Sequence, residues 1–531
     1  MKKIKNFFFL FLFLLLLSLT VFAIDVTVNT EKGKSKISPY IYGINQDIAP
    51  DVKVTSRRLG GNRMTGYNWE NNASNAGSDW QHFSDNYMMD QLNVSGLNND
   101  EPARLITAFH EKSLSKNAYS LITLQLAGYV SKDKNGPVSM QETAPSHRWA
   151  KVVFEKGSEL TLSPDKNDDF VYLDEELNFL INRFGLANTP TGIKGYCLDN
   201  EPDLWQGTHP RIHPNKTGVE EYLEKSIAVA KVIKKLDPYA EVFGPASYGF
   251  NGFRTFQDAP DFYEARWKYD WFLAYYLARM KEASDKEGKR LLDVLDVHWY
   301  PEAQGNGKRI VFTSSTPDET AYARVQAPRS LWDKEYIEQS WICSSGHCPI
   351  YLIPRLKEMI DKYYPGTKLA ITEYEYGAGF DPSGGVALAD VLGIFGKYGV
   401  YMANYWMCEW GAYSLAAFRI YRNYDGNGSV YGDINVSAKT SDIEKMTSYA
   451  ALDSSNKNNL HIILINKDVS NTQTARVNIL SKNNYKSMKI YGFDKSTEGK
   501  ITQKDAPVIK TNKFYLDMPP LSVYHIVLNA I

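Results

Sequence analysis

Gly195-Tyr196-Cys197-Leu198-Asp199-Asn200-Glu201-Pro202 is an apolar run that ends on an acid, and Leu369-Ala370-Ile371-Thr372-Glu373-Tyr374 repeats the design. Short apolar runs bounded by polar residues read as strands buried on both faces, as in a parallel sheet. Six further runs of this kind flank them: Ile41–Asn45, Arg57–Asn62, Tyr119–Gln125, Glu241–Gly244, Val294–Tyr300 and Tyr401–Trp406. Between most of them the apolar spacing turns helical, over Pro102–Ser115, Asp174–Phe184, Val219–Leu236, Phe262–Ser284, Ile350–Tyr363 and Gly384–Tyr398. Eight strands alternating with helices predict an α/β fold, a TIM-like (β/α)8 barrel. An open doubly wound sheet is the alternative, but no phosphate-type glycine fingerprint follows any strand.

Beyond about Ala412 the helical spacing ends. Runs rich in β-branched and aromatic residues follow, Leu460–Asn466, Thr474–Leu480, Ser487–Gly492 and Ser522–Asn529, separated by turn signals such as Asn456-Lys457-Asn458 and Asn483-Asn484. They predict an all-β sandwich over 412–531. Asp25–Asn29 also reads as a strand, and the segment 24–40 is expected to join that sandwich, which makes the barrel at 41–411 an insertion. No Pro/Ser/Thr-rich linker separates the two, so rigid packing is expected.

Residues 1–23 read as a secretory signal peptide: Lys2, Lys3 and Lys5, an apolar run from Phe7 to Leu17, then Val21-Phe22-Ala23 with a small residue at the cut point. An uncleaved anchor is the alternative, since the run is only slightly short of the ~20 residues of a spanning helix. No cysteine follows it to carry a lipid, and no later segment is apolar enough to span. The mature chain is therefore expected to be secreted, extracellular, free of the membrane and monomeric. The formal net charge of the 531 residues is −1, and loss of three lysines leaves the mature chain slightly acidic without a long like-charge run. That argues against a nucleic-acid partner. Of four cysteines, Cys343 and Cys348 are close enough in sequence for a disulfide, whereas Cys197 and Cys408 lie in apolar stretches and read as buried thiols. Eleven tryptophans and thirty-five tyrosines supply flat apolar faces with polar edges, complementary to sugar rings, although most of them serve the core.

In a barrel the C-terminal strand ends form the active-site face, and Glu201 and Glu373 close strands four and seven. Glycoside hydrolysis needs two carboxyls across the scissile bond, one to protonate the leaving oxygen and one to attack or to activate water. Most of the sixty-one acidic residues are solvated, but a glutamate closing a buried strand is a rarer thing. Adjacent Asn200 and Glu201 point to opposite faces of a regular strand, so both can serve only if the strand end turns, as Pro202 favours. In His298-Trp299-Tyr300-Pro301, His298 and Tyr300 share a face and are expected to orient the attacking carboxylate, with satisfied wall residues as the alternative. In Arg58-Leu59-Gly60-Gly61-Asn62, Arg58 favours the ionised form of a nearby carboxylate and Asn62 can reach sugar hydroxyls. No cofactor or metal is expected in the chemistry. Asp165-Lys166-Asn167-Asp168-Asp169 lacks the full spacing of a calcium loop and reads as a solvated loop, with a structural calcium on its oxygen ligands as the alternative.

Joined by Tyr67-Asn68-Trp69-Glu70-Asn71-Asn72, Asp296-Val297-His298-Trp299-Tyr300-Pro301-Glu302, Gln326-Ala327-Pro328-Arg329-Ser330-Leu331-Trp332 and Tyr364-Pro365-Gly366-Thr367-Lys368, these stretches resemble glycoside hydrolase family 44, the barrel-plus-sandwich endoglucanases and xyloglucanases. The likeness covers essentially the whole mature barrel. It implies Glu201 as general acid/base, Glu373 as nucleophile, retention of configuration, and Trp80, Trp341 and Trp406 as cleft-lining residues. It also implies internal cleavage of plant cell-wall β-1,4-glucans of cellulose, mixed-linkage or xyloglucan type. One departure stands two residues after the nucleophile, where the family often has asparagine and this chain has Glu375. By alternation Glu375 shares the face of Glu373, which would raise the proton affinity of the pair. A barrel that binds carbohydrate without cutting it is the competing reading.

Overall fold

The computed structural model describes residues 23–530 apart from 46, 48, 95–99, 314–316 and 408–410. The expected signal peptide, save for Ala23, lies outside the described residues, as does Cys408.

Eight parallel strands close into a barrel in chain order: β1 (Gly43–Ile44), β2 (Ser56–Leu59), β3 (Tyr119–Leu124), β4 (Gly195–Leu198), β5 (Glu241–Ser247), β6 (Val294–Trp299), β7 (Lys368–Tyr374) and β8 (Met402–Tyr405). The ring shuts where β8 returns to β1 through Asn404↔Gly43 and Tyr405↔Ile44, which leaves no sheet edge. Alternation explains why almost every strand residue is buried. Leu121, Cys197, Phe243, Val294, Ala370 and Met402 form one cluster inside the barrel. Their neighbours Ile122, Leu198, Val242, Leu295, Ile371 and Ala403 join the larger core under the helices.

The helices that cover the barrel are α1 (Arg104–Ser115), α2 (Leu173–Phe184), α3 (Val219–Leu236), α4 (Phe272–Glu287), α5 (Leu352–Tyr363), α6 (Pro382–Lys397) and α7 (Ala412–Arg422). Two expectations need correcting. The helix foreseen over Phe262–Ser284 is broken into Tyr263–Tyr269 and α4, because Asp270 takes φ 60° and turns the chain. Helical structure also does not stop at Ala412: α7 follows β8 as the eighth strand's partner. Its residues Tyr413, Ala416, Ala417, Phe418, Ile420 and Tyr421 are all buried, and the more exposed stripe, Ala412, Leu415, Arg419 and Arg422, is half apolar, which weakens the helical signal. Among the described residues no helix is long and apolar enough to cross a membrane.

Ile24–Asn29 pairs antiparallel with Ile434–Thr440 and parallel with Gln473–Leu480, so the barrel is inserted after the first strand of a ten-stranded sheet. The sheet curls into a sandwich in which Ile490, near one end of the strand order, and Phe514, at the other, share a core. Helix α6 joins the two domains. Its buried Asp390 accepts hydrogen bonds from Thr447 Oγ1 and Tyr449 Oη, both at 2.6 Å, across the contact.

Candidate active site

The fourth strand stops at Leu198, and the chain then turns sharply: Asp199 has φ 67° and Glu201 φ 44°, both in the left-handed region. For residues other than glycine such a conformation costs about 1–3 kcal/mol each and survives only where the surroundings over-determine it. Here the buried Asp199 carboxylate does so, accepting from Thr65 Oγ1 (2.6 Å), Leu126 N (2.5 Å), Ala127 N (3.1 Å) and Asn200 N (2.7 Å). Glu201 N–H is tied to Ala246 O at 3.1 Å, and Pro202 opens a short 3-10 turn. The turn brings both Asn200 and Glu201 to the barrel mouth.

At the end of β7 a bulge achieves the same. Pairing with β8 passes from Ile371↔Ala403 to Tyr374↔Tyr405, three steps against two, while His298 lies opposite Glu373 on β6. Thr372 and Glu373 therefore both face inward. Thr372 Oγ1 donates to Asp296 at 2.9 Å beneath the site, and Glu373 enters the cleft.

Arg58 holds these ends together. Fully buried, it donates from Nη1 to Glu373 Oε1 at 2.7 Å and Asn45 Oδ1 at 3.1 Å, and from Nη2 to Asn200 Oδ1 at 2.7 Å. Gly60 and Gly61 make the room: a Cβ on Gly60 would lie 2.3 Å from Arg58 Cζ, and one on Gly61, whose φ is 84°, 2.6 Å from Trp406 Cη2. Tyr300 Oη donates to Glu373 Oε2 at 2.8 Å. His298 Nδ1 stands 2.9 Å from Glu201 Oε1 and 3.5 Å from Glu373 Oε2.

The two glutamates sit in different fields. Burial pushes the Glu201 carboxyl up; Arg58 pulls against it and the charge of Asp79 adds to it, leaving it at about 7. Glu373 instead has a guanidinium and a phenol bonded to its two oxygens. Burial lowers His298 to about 3, so the ring is neutral, and with its single proton on Nδ1 it donates to Glu201. Asp203 and Asp296 are raised by burial to about 7 and about 6, but neither lines the cleft. Glu375 departs from the expected alternation. Its carboxylate accepts from Gly377 N at 2.7 Å and Tyr405 Oη at 3.1 Å, and it lines neither cavity of the mouth. The acid that does raise Glu201 is Asp79.

Above the pair lies a hollow of about 350 Å³ whose walls include Glu201, Glu373, Asn62, Asn200, Tyr300, Trp341 and Trp406. A second of about 790 Å³ continues along β1 and β2, lined by Arg58, Trp80 and Tyr87 among others. Gly61, Asn62, Asp79 and Trp406 border both, so the two form one trough. A trough walled by indoles, with a pair of carboxyls at its floor, fits a sugar chain.

Comparison with known proteins agrees. The family model for glycoside hydrolase family 44 matches residues 73–303. Endoglucanase A of Paenibacillus lautus is 52% identical over 508 residues, covering 96% of this chain and 73% of that protein. A xyloglucanase of Paenibacillus polymyxa from family 44, solved with xyloglucan, is 50% identical and superposes with a TM-score of 0.94 over 96% of this chain and 100% of that one. The chain belongs to glycoside hydrolase family 44. A longer relative, Beta-mannanase/endoglucanase A of Caldicellulosiruptor saccharolyticus, is 54% identical over 510 residues, 93% of this chain; the chain spans only 38% of that protein's length.

In this family 44 chain, then, the structure draws the residues chosen from sequence to one trough. His298 sits beneath it between the two carboxylates, and Trp80, 60% exposed, stands at the outer part. Trp341 faces Phe250 edge-on at 6.1 Å, in a short helix whose Cys343 is joined to Cys348 by a disulfide. Glu201, His298 and Glu373 also present donor atoms that all lie within 4.8 Å of one another, close enough together to hold a cation, although Arg58 already holds Glu373. Sequence reasoning missed Asn45 and Asp79, whose roles depend on contacts between distant loops. Because Gly61 makes space for Trp406, Gly61→Ala is expected to displace the indole. It should cut kcat/KM on a soluble β-glucan about tenfold to a hundredfold, the cost of a misplaced binding group. Stability should fall by about 1–3 kcal/mol, the cost of a non-glycine residue held at this φ, read as a lower melting temperature. Unchanged kinetics would remove Trp406 from the substrate site.

Proposed function

We propose that the chain is an exported, endo-acting β-1,4-glucanase of the endoglucanase/xyloglucanase type that works by double displacement with retention. The observation that carries this is the unequal setting of two carboxyls whose oxygens approach within 4.8 Å. That spacing fits the ~5–5.5 Å separation of retaining enzymes and leaves no room for the water that inverting enzymes place across ~6.5–9.5 Å. The names of the relatives, endoglucanase and xyloglucanase, support a β-glucan substrate. The trough running past the catalytic pair supports binding of several sugar units and so internal cleavage.

The reaction then has two steps. Glu201, neutral because its proton affinity sits near pH 7, gives its proton to the glycosidic oxygen as the C–O bond breaks, and a Glu373 oxygen bonds to the anomeric carbon. Arg58 and Tyr300 direct the attacking carboxylate. Glu201, now ionised, next takes a proton from water; the water oxygen bonds to the anomeric carbon and Glu373 is released. Asn200, held by Arg58 and the Gly61 N–H (3.2 Å), is oriented to meet a hydroxyl of the sugar beside the break, and Trp406 supports the ring. The basic and apolar leader at residues 1–23 supports export.

For a metal we propose a structural calcium beside the loop Asp165–Asp169. Glu70 feels the charges of Asp168, Glu175 and Asp165, and burial with these raises it to about 8. Glu176, fully buried, has neither carboxylate oxygen hydrogen-bonded, nor has Glu175 Oε2. Calcium should therefore raise the melting temperature and a chelator lower it, while turnover of the still-folded enzyme is unchanged. Loss of turnover without unfolding would put a metal in the chemistry instead.

The roles of the two glutamates separate on an aryl β-glycoside whose leaving group needs no proton. Glu373→Gln should lose more than about 10³-fold in kcat. Glu201→Gln should be far less impaired, and added azide should speed its second step to give a β-glycosyl azide. A β-azide from the Glu373 variant, with the Glu201 variant inert, would reverse the assignment.

A further inference from the structure

Asp79 takes no part in either displacement, yet it borders both cavities of the trough. It sits in the short turn Gly77–Trp80 between β2 and α1, which is pinned from below: Ser78 Oγ donates to Gly207 O at 2.5 Å, and His82 N–H closes on Gly77 O at 2.8 Å. Both its carboxylate oxygens accept from the same group, Asn62 Nδ2, at 3.0 Å each.

A carboxylate can only accept, so Asp79 decides which end of the Asn62 amide faces it. Asn62 Oδ1 is thereby turned to Asn200, whose Nδ2 donates to it at 3.2 Å. Asn200 Oδ1 then faces the other way, accepting from Arg58 Nη2 at 2.7 Å and Gly61 N at 3.2 Å, and Arg58 Nη1 ends on Glu373 Oε1 at 2.7 Å. The relay is polarised from both ends, by an acceptor-only carboxylate and a donor-only guanidinium. Without Asp79 the Asn62 Nδ2 loses its acceptor, and only the donor of Asn200 is left to hold the Asn62 oxygen in place.

Among the described residues no cation stands within 4.0 Å of Asp79. Its basic neighbour Arg63 gives its guanidinium to Asp85 at 2.5 Å. His82 in the same turn and His209 behind it are both lowered by burial, the latter to about 3, so neither brings a charge. Across the trough lie Glu201 and Arg58. Asp79 pushes Glu201 up, after burial and against the pull of Arg58. Its own carboxyl is raised by burial, with Asn62 and Arg63 working the other way.

We propose that Asp79 is a positioning residue: it helps set the direction of the Asn62–Asn200–Arg58 relay that ends on the nucleophile, and it places a negative charge in the part of the trough that Glu201 lines. This rests on Glu201 as the acid/base. Loss of Glu201's proton should end the first step, so kcat/KM falls as pH rises through about 7. Removing the Asp79 charge lets that proton go more easily, which moves the upper limb to lower pH.

The test is the pH profile of kcat/KM on a soluble β-glucan for the parent, Asp79→Asn, Asp79→Ala and Asp79→Glu, with thermal melts to show that each folds. The asparagine variant, which can keep an acceptor toward Asn62 but not the charge, should bring the upper limb down by about half a pH unit or more. The alanine variant should show the same shift and a further fall in kcat of roughly tenfold, because the relay loses its end. The glutamate variant should restore the parent's limb. As a control, Glu201→Gln assayed on an activated aryl glycoside with azide should show no such limb. If the limb is absent there but unmoved in Asp79→Asn, the role of Asp79 is overturned alone. If the limb survives in Glu201→Gln, the acid/base assignment falls, whatever the Asp79 variants do.

Discussion

A guanidinium with no exposed surface, 2.7 Å from a carboxylate at the mouth of a barrel, is the constraint on which the rest of the site depends. Removing Arg58 from water costs several kcal/mol, and burial alone would lower its proton affinity; the charges around it, Glu373 first and then Cys197 and Asp296, together with the hydrogen bond to Glu373, reverse that. The pair is stable only while Asn45 and Asn200 each take one further Nη hydrogen and no side chain stands at residue 60. Leaving either charge alone would cost about 3–5 kcal/mol, so the geometry has little freedom to drift. From this follow the fixed direction of Glu373, the orientation of Asn200 and the narrow fit of Trp406 over Gly61.

The asymmetry of the catalytic carboxyls comes from the same source. Both lie close to one guanidinium, but only Glu373 is bonded to it. Glu201 meets a neutral imidazole and feels the charge of Asp79 across the trough, so its proton is held near the pH at which it must be both given and retaken. In the mechanism we propose, one glutamate is thus the clamped nucleophile and its partner the proton carrier. The strained turn at Asp199 and Glu201 is the structural cost of bringing an acid off strand four at this angle, and the four hydrogen bonds to Asp199 hold it there.

Much of this was legible in the chain because a barrel strand is short, apolar and ended by polar residues, and most of the eight have that form, β2 with Ser56-Arg57-Arg58-Leu59 being the exception. The run into Asn200-Glu201-Pro202 announces its turn through the proline. Helix α7 was not legible: it packs against α6 and the sandwich strands Tyr485–Phe493 and Ser522–Ala530, and its outward stripe of Ala412, Leu415, Arg419 and Arg422 is half apolar, so polarity marks it weakly as a surface helix. Glu375 was misread because alternation holds only within a strand, and β7 ends at Tyr374, one residue before it. Asp79 is one acid of sixty-one, on a loop with no pattern of its own. Its place is set by the packing of the Gly77–Trp80 turn against Gly207, a contact between residues 129 positions apart.

The central claim is that Glu373 becomes covalently attached to the sugar. A 2-deoxy-2-fluoro β-glycoside with a good leaving group forms the ester but slows its hydrolysis, so the adduct should accumulate with loss of activity. Mass spectrometry of a protease digest should then place one glycosyl unit on the peptide bearing Glu373, and a glycosyl acceptor should restore activity as the label is lost. Labelling of a different residue, or full inactivation with no covalent adduct at all, would contradict the account.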